Sequence, residues 1–269
     1  MKYTVLTLFP EIIDAFFASS IMAKALSRNI LEYRPINIRD FALDKHNTCD
    51  DAPYGGGPGM LMLAEPLGRA LDFAGAGKKT GNNVPSSQSS DQSPPLKSPK
   101  VIYLSPSGRP FDQAMARELA GEKELILVCG RYEGIDQRII DSYVDDEISV
   151  GDYVLSSGEV AALILIDATY RLIEQVITPA SLDEESFSGG LLEYPQYTRP
   201  EIYDTLKVPE VLLSGHHENI RRWRLEKRVE KTLALRPDLI RLGEESLLFD
   251  EETRKIIEEK RRESGEGEG

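Results

Sequence analysis

Leu125-Ile126-Leu127-Val128 runs directly into Cys129-Gly130-Arg131-Tyr132-Glu133-Gly134-Ile135-Asp136. Four consecutive apolar residues suit a short strand buried on both faces, the kind a parallel sheet uses. Two glycines then bracket a charged tripeptide, so a ligand can come close to the main chain where it leaves the strand. The pattern recurs at Val101–Leu104, followed by Ser105-Pro106-Ser107-Gly108. A third loop, Val150–Gly158, precedes a helix expected over Glu159–Ile173. Strand, glycine-bearing loop and helix in alternation is the α/β pattern. Ligands in such sheets sit beyond the carboxyl ends of the strands, where all three loops are expected to meet.

Outward from these loops, Tyr3–Phe9 reads as an opening strand, Glu11–Leu31 and Glu65–Ala74 as helices, and Ile36–Arg39 as a short strand. The 269 residues leave room for one large domain or two ordinary ones, and 41% hydrophobic content is enough for a real core. Residues 75–100 are rich in Gly, Ser, Asn, Gln and Pro, and are expected to form a mobile surface insertion. Thr178–Gly190 is polar and acidic and is expected to link two domains. The chain reads helical from Pro200 and ends in an acidic tail, Glu263–Gly269, with little reason to be ordered. Pro10-Glu11 ends the first apolar run too early for a signal peptide, and the run Val160–Ile166 is too short to span a bilayer. A soluble, cytoplasmic protein with no membrane partner is expected.

Several function classes weaken at once. Cys49 and Cys129 are far apart and fit no metal or redox spacing, so two reduced thiols are expected. His46, His216 and His217 also lack metal-ligand spacing, and no metal site is assigned. There is no GxGxxG fingerprint and no P-loop lysine, which argues against dinucleotide and mononucleotide phosphate sites. The formal net charge of −13 argues against a polyanionic partner, but residues 221–231 set six cations against two carboxylates, a local net of +4. Arg221, Arg224, Arg228 and Lys231 fall at helical spacing beside Trp223, with Arg222 and His217 nearby. RNA backbone contact is favoured over a solvated charged face.

The remaining motifs stay open on the residues alone. Tyr54-Gly55-Gly56-Gly57-Pro58-Gly59-Met60 can bring backbone amides to an anion or a base, or can be a plain tight turn. The preceding Asp50-Asp51 can take a base edge or sit in a solvated turn. Arg131 can hold a phosphate or a guanine edge, and Glu133 a sugar or an amine. The alternative for Glu133 is a place near the positive end of a helix.

Pro53–Met60 (PYGGGPGM), YLSP (103–106), CGRYEGID (129–136), GDYVLS (151–156), YTRPE (197–201), LLSG (212–215) and IRRWR (220–224) occur in the order found in the bacterial tRNA (guanine-N1)-methyltransferases. From the N-terminus to about residue 240, outside the 75–100 insertion, the chain resembles that TrmD family of the SPOUT class. The resemblance implies an α/β fold: a SPOUT-type parallel sheet with a deep trefoil knot, plus a small C-terminal α-helical domain. It implies a knotted cofactor-binding domain over 1–176, an interdomain linker over 177–190 and a helical tRNA-binding domain over 191–269. It further implies a homodimer with active sites at the interface, S-adenosylmethionine as methyl donor, and methylation of guanine N1 at position 37, 3′ of the anticodon. A Mg²⁺ requirement stays open.

Carried over by position, the resemblance implies a cofactor shell of Tyr103, Leu104, Ser105, Pro106, Gly130, Tyr132, Glu133, Val150, Gly151, Asp152, Tyr153, Val154, Leu155 and Gly158. It implies RNA contacts from Asp50, Gly57, Gly59, Arg131, His217, Arg221, Arg222 and Arg224. Arg171 matches the catalytic arginine. The general base is an Asp before Ser-Phe in the family, and Glu185 stands there, with Asp183 close enough to substitute. Ser157 and Ala161 replace the common Gly and Pro. The alternatives are a SPOUT methyltransferase for another RNA and an RNA-binding homologue without catalysis.

Overall fold

β1 (Lys2–Thr7) is the hub of the N-terminal half. It pairs in parallel with β2 (Glu32–Asn37) on one side. After β3 (Asp50–Asp51) and β4 (Leu61–Met62), which form a small antiparallel ladder, the chain enters β5 (Lys100–Pro110) and β6 (Glu124–Cys129). β7 (Asp146–Ser149) closes the sheet, whose order is β2-β1-β6-β5-β7 with every pair parallel. The computed structural model describes residues 1–79, 98–178 and 185–263. Asp183 and residues 264–269 of the expected disordered tail lie outside these, as does most of the 75–100 insertion.

Among the described residues six helices cover the sheet: α1 (Pro10–Phe17), α2 (Ser20–Ser27), α3 (Ala64–Ala74), α4 (Gln113–Ala120), α5 (Gln137–Tyr143) and α6 (Gly158–Tyr170). Side chains alternate along the strands and build a core on each face. Tyr3, Val5, Ile102, Leu104, Leu125 and Leu127 meet α1, α2, α4 and α6 on one face. Leu6, Val101, Tyr103, Ile126 and Val128 meet α3 and α5 on the other. The Tyr3 hydroxyl is buried against Thr169 Oγ1 at 2.8 Å, and burial pushes its pKa up.

Several elements differ from the sequence expectation. The helix expected over Glu11–Leu31 is two helices, because Ser19 Oγ donates to Phe16 O and Ser20 takes a φ of 50°. A serine hydroxyl that bonds the backbone competes with the helical ladder. The strand expected at Ile36–Arg39 begins earlier, at Glu32, and gives way to a 3₁₀ turn, Ile38–Phe41, where the Asn37 side chain accepts from Arg39 N. The start of the insertion is docked: Ala76 is buried, and Lys79 N donates to Ser142 O at 2.7 Å. Among the described residues no helix is long and apolar enough to cross a membrane.

The chain divides into two units, Met1–Ile177 and Thr178–Gly269. The second begins, within its described residues, with a 3₁₀ turn at Ser188–Gly190. The helical expectation from Pro200 fails at first. β8 (Ile202–Tyr203) and β9 (Leu206–Lys207) form a hairpin, with Asp204 at a φ of 56° in its turn and Pro200 and Pro209 bounding it. Then come α7 (Glu210–Leu213), α8 (His217–Leu235), α9 (Pro237–Glu245) and α10 (Glu251–Glu263). Leu191, Val229, Ile240, Phe249, Ile256 and Ile257 are its core.

Candidate active site

The carboxyl ends of β5, β6 and β7 open into one cavity of about 340 Å³, within the range of small-molecule sites. Each strand end contributes differently. Ile148 of β7 pairs with both Leu104 and Arg109 of β5, so residues 105–108 loop out of the ladder. The Arg109 guanidinium ties the far side of this bulge to Asp146. After β6, Tyr132 takes a φ of 60°, unusual for an aromatic residue. After β7, a tight turn with Tyr153 N donating to Gly151 O leads into α6.

Glycine is required at the start of α6. Gly158 N donates to Gly130 O at 2.9 Å, and a Cβ at Gly158 would lie 2.7 Å from Cys129 Cα. The third loop thus presses directly on the backbone leaving β6. Cys129 itself is buried, and burial pushes its thiol pKa well up, as suits an inert thiol.

All but one of the residues expected in the cofactor shell line this cavity: Tyr103, Leu104, Ser105, Pro106, Gly130, Tyr132, Glu133, Val150, Gly151, Tyr153, Val154, Leu155 and Gly158. Asp152 is the exception. It is exposed at the apex of the Gly151–Tyr153 turn, outside the lining. The lining also includes Ser107, Arg131, Gly134, Ile148, Ser149, Ser156, Ser157 and Ala161, which the sequence did not assign to a cofactor. The helix-terminus place, the alternative for Glu133, is taken by Asp136, whose carboxylate accepts from Arg138 N at 2.9 Å and caps α5.

The glycine loop 53–60 is stitched to this wall. Glu133 N donates to Met60 O and Met62 N to Gly134 O, both at 3.0 Å. The Glu133 side chain lies over Gly59, where a Cβ would fall 2.3 Å from its Cγ. Asp50, in β3, pairs with Met62, and Gly57 sits in the same loop at a φ of 123°. Arg131 turns inward: its guanidinium lies 4.6 Å over the Phe9 ring and 4.0 Å from the buried Glu159. Sequence reasoning missed Glu159, although an acidic residue just before the apolar run Val160–Ile166 was a visible signal.

Arg171 ends α6, and Glu185 O accepts from Ser188 N at 3.0 Å; the two belong to different units. In the second unit the expected basic stripe is largely committed to its own chain. Arg221 binds Glu218 and Glu252, and Arg222 binds Glu226. Arg228 donates to Ser188 O and Leu192 O, Lys231 to Glu193 O, and Arg224 stacks over Tyr194. The incoming 188–194 segment offers carbonyls and a ring face, so three of the stripe's four cations serve folding. Arg221 and Arg222 remain on the surface, and His217, at the first turn of α8, is exposed.

The sequence profile described as tRNA (Guanine-1)-methyltransferase TrmD matches residues 1–242. The chain belongs to this family. A TrmD relative from Treponema denticola, a tRNA (guanine-N(1)-)-methyltransferase, is 58% identical over 96% of this chain and 98% of its own. The Treponema pallidum enzyme of the same name is 53% identical over 96% of each chain. The one from Borreliella burgdorferi is 54% identical over 89% of this chain and 92% of its own. The TrmD match covers the cavity and α8 but stops before α10.

Proposed function

We propose that this chain transfers a methyl group from S-adenosylmethionine to N1 of the guanine at position 37 of tRNA. The observation that carries this is the convergence of three strand-end loops on one cavity in a chain of the TrmD family. The lining fits a nucleoside with an amino-acid tail. Leu104, Ile148, Leu155 and the tyrosine rings offer apolar walls, Ser105 and Ser107 offer hydroxyls, and Glu133 can accept from ribose or an amine. Gly158 closes the floor with backbone, leaving main-chain groups to read a base edge. When bound, S-adenosylmethionine supplies an electrophilic methyl on a positively charged sulfur.

The chain's own residues then manage one proton and one developing charge. Guanine N1 is a poor nucleophile until it loses its proton, and Glu185 takes that proton as general base. Negative charge grows on O6, where Arg171 stabilises it as a preorganised donor. Arg131 and Glu133 hold and orient. Asp152 is left out of the cofactor shell, and Arg224 serves its own unit more than RNA.

The same family assignment carries the finer features. Membership of the TrmD family supports a trefoil-knotted chain. Exposed Tyr132, Tyr153 and Val154 at the cavity mouth support a homodimer that covers them. The C-terminal unit would hold tRNA through Arg221, Arg222 and His217, in the cytoplasm. The test is methyl transfer to an unmodified tRNA transcript, with and without Mg²⁺, followed by mapping of the methylated nucleotide. Label at N1 of guanine 37 is expected; label on another base, or none despite cofactor binding, would sink the proposal.

A further inference from the structure

Glu159 is the most deeply buried carboxylate beside the cavity, with its side chain only 1% exposed. Thr7, at the end of β1, donates its hydroxyl to Glu159 Oε1 at 2.6 Å. The same hydroxyl accepts from Phe9 N at 2.9 Å, so its direction is set. Among the described residues, Glu159 Oε2 is buried and accepts no hydrogen bond. A buried polar atom left in this state costs free energy, and a charged one more. The guanidinium of Arg131 stands 4.0 Å away, about 1 Å beyond a charge-assisted hydrogen bond. Arg131 also rests on the ring of Phe9 and lines the cavity. Thr7, Phe9, Arg131 and Glu159 thus form a closed circuit between the ends of β1 and β6 and the first turn of α6.

We propose that Glu159 is a positioning residue for Arg131. The Thr7 hydroxyl fixes one carboxylate oxygen, and the other waits as the seat onto which Arg131 is drawn when the cavity fills. The Phe9 ring confines the guanidinium to a sliding path over its face. Arg131 is then held in one orientation toward the guanine nucleotide, and only the guanidinium is newly desolvated, because the carboxylate is already buried. This rests on the proposed methyl transfer only for its consequence in catalysis; the pairing itself does not depend on it.

Two measurements separate these. The first follows the Arg131 side-chain Nε–H resonance, assigned by its disappearance in Arg131→Lys. S-adenosylmethionine with a guanine-containing tRNA fragment is expected to slow its solvent exchange in the wild type and not in Glu159→Gln. The second is kinetic. Glu159→Gln keeps the Thr7 contact and the shape but removes the charge. It is expected to lower kcat/KM for tRNA about 10²-fold, as a misplacement of about 1 Å can. Cofactor affinity should stay within about twofold, and Glu159→Asp should recover part of the loss. Adding Glu159→Gln to Arg131→Met should cost nothing more, since both remove one interaction. If Glu159→Gln fails to fold, Thr7→Val, which leaves the carboxylate in place but unsteered, is expected to show a smaller loss with the same coupling. Independent, multiplying effects, or an unchanged Arg131 resonance, would overturn the proposal. A wild type that shows the resonance change but methylates no tRNA would instead count against the function.

Discussion

At the scale of single residues, the carboxylate that takes the N1 proton decides whether a methyl can be transferred at all. In the proposed mechanism that carboxylate is Glu185, which by the resemblance stands in place of an Asp, and the extra methylene moves its reach by about one bond. Replacing Glu185 with Gln preserves size and hydrogen bonding but removes the base. General-base removal costs about 10²–10⁴-fold in rate. Single-turnover methyl transfer is expected to fall by that much, with cofactor affinity from calorimetry unchanged. A Gln variant that turns over normally would move the base role elsewhere, with Asp183 the first candidate. Gly158 illustrates what sequence can and cannot say at this scale. The sequence placed it only at the end of a loop that precedes a helix and, through the resemblance, in the cofactor shell. That the atom it approaches is Cys129 Cα was not visible, because it depends on which loop lies against which strand end.

At the scale of elements, β7 is the instructive failure. Asp146-Glu147-Ile148-Ser149 is half charged and carries no strand signal, yet it closes the sheet against β5. What holds it is the bulge: Arg109 reaches across to Asp146, with Lys100 nearby. The Arg109 hydrogen bonds, more than its charge, keep the Asp146 pKa below the usual carboxylate range, against the burial that would raise it. A depressed folded-state pKa means that the ionised form stabilises the fold. That contribution is complete above the unfolded value, about 3.9, and is lost as pH falls through the lower folded value. Asp146→Asn is therefore expected to lower Tm by about 2–4 °C at pH 7. The gap should close as pH falls through the depressed folded value, below which both proteins are uncharged at this position. A gap that persists in acid would assign the effect to packing. The strands at 101–104 and 125–128 were legible because they are apolar runs buried on both faces. The hairpin at 202–207 was not, since its residues are exposed and its turn is set by Asp204 and the flanking prolines.

At the scale of the whole molecule, α6 poses a question that one chain leaves open. Its outer face is mostly apolar, with Asp167 the one exposed charge on it. Ala161, Ala162, Leu165 and Ile166 pack into the sheet core, while Val160 and Ile164, one turn apart, are 45% and 39% exposed. Exposed branched apolar residues one turn apart on a helix suit a face that another surface covers. Tyr153 and Val154, on the loop that leads into it, are exposed as well and line the cavity. A second copy of the chain meets this requirement, because a two-fold interface matches a patch with itself. The wild type is then expected to sediment at twice the chain mass. Val160→Asp with Ile164→Asp puts charges where the single chain is already open to water, so the fold should survive with a Tm within a few degrees. Buried in a dimer, the same charges would be unpaired and costly. The double variant is expected to sediment as a monomer at micromolar concentration and to lose methyl transfer. A wild type that is monomeric at that concentration would overturn the dimer, and so would a double variant that stays dimeric and fully active.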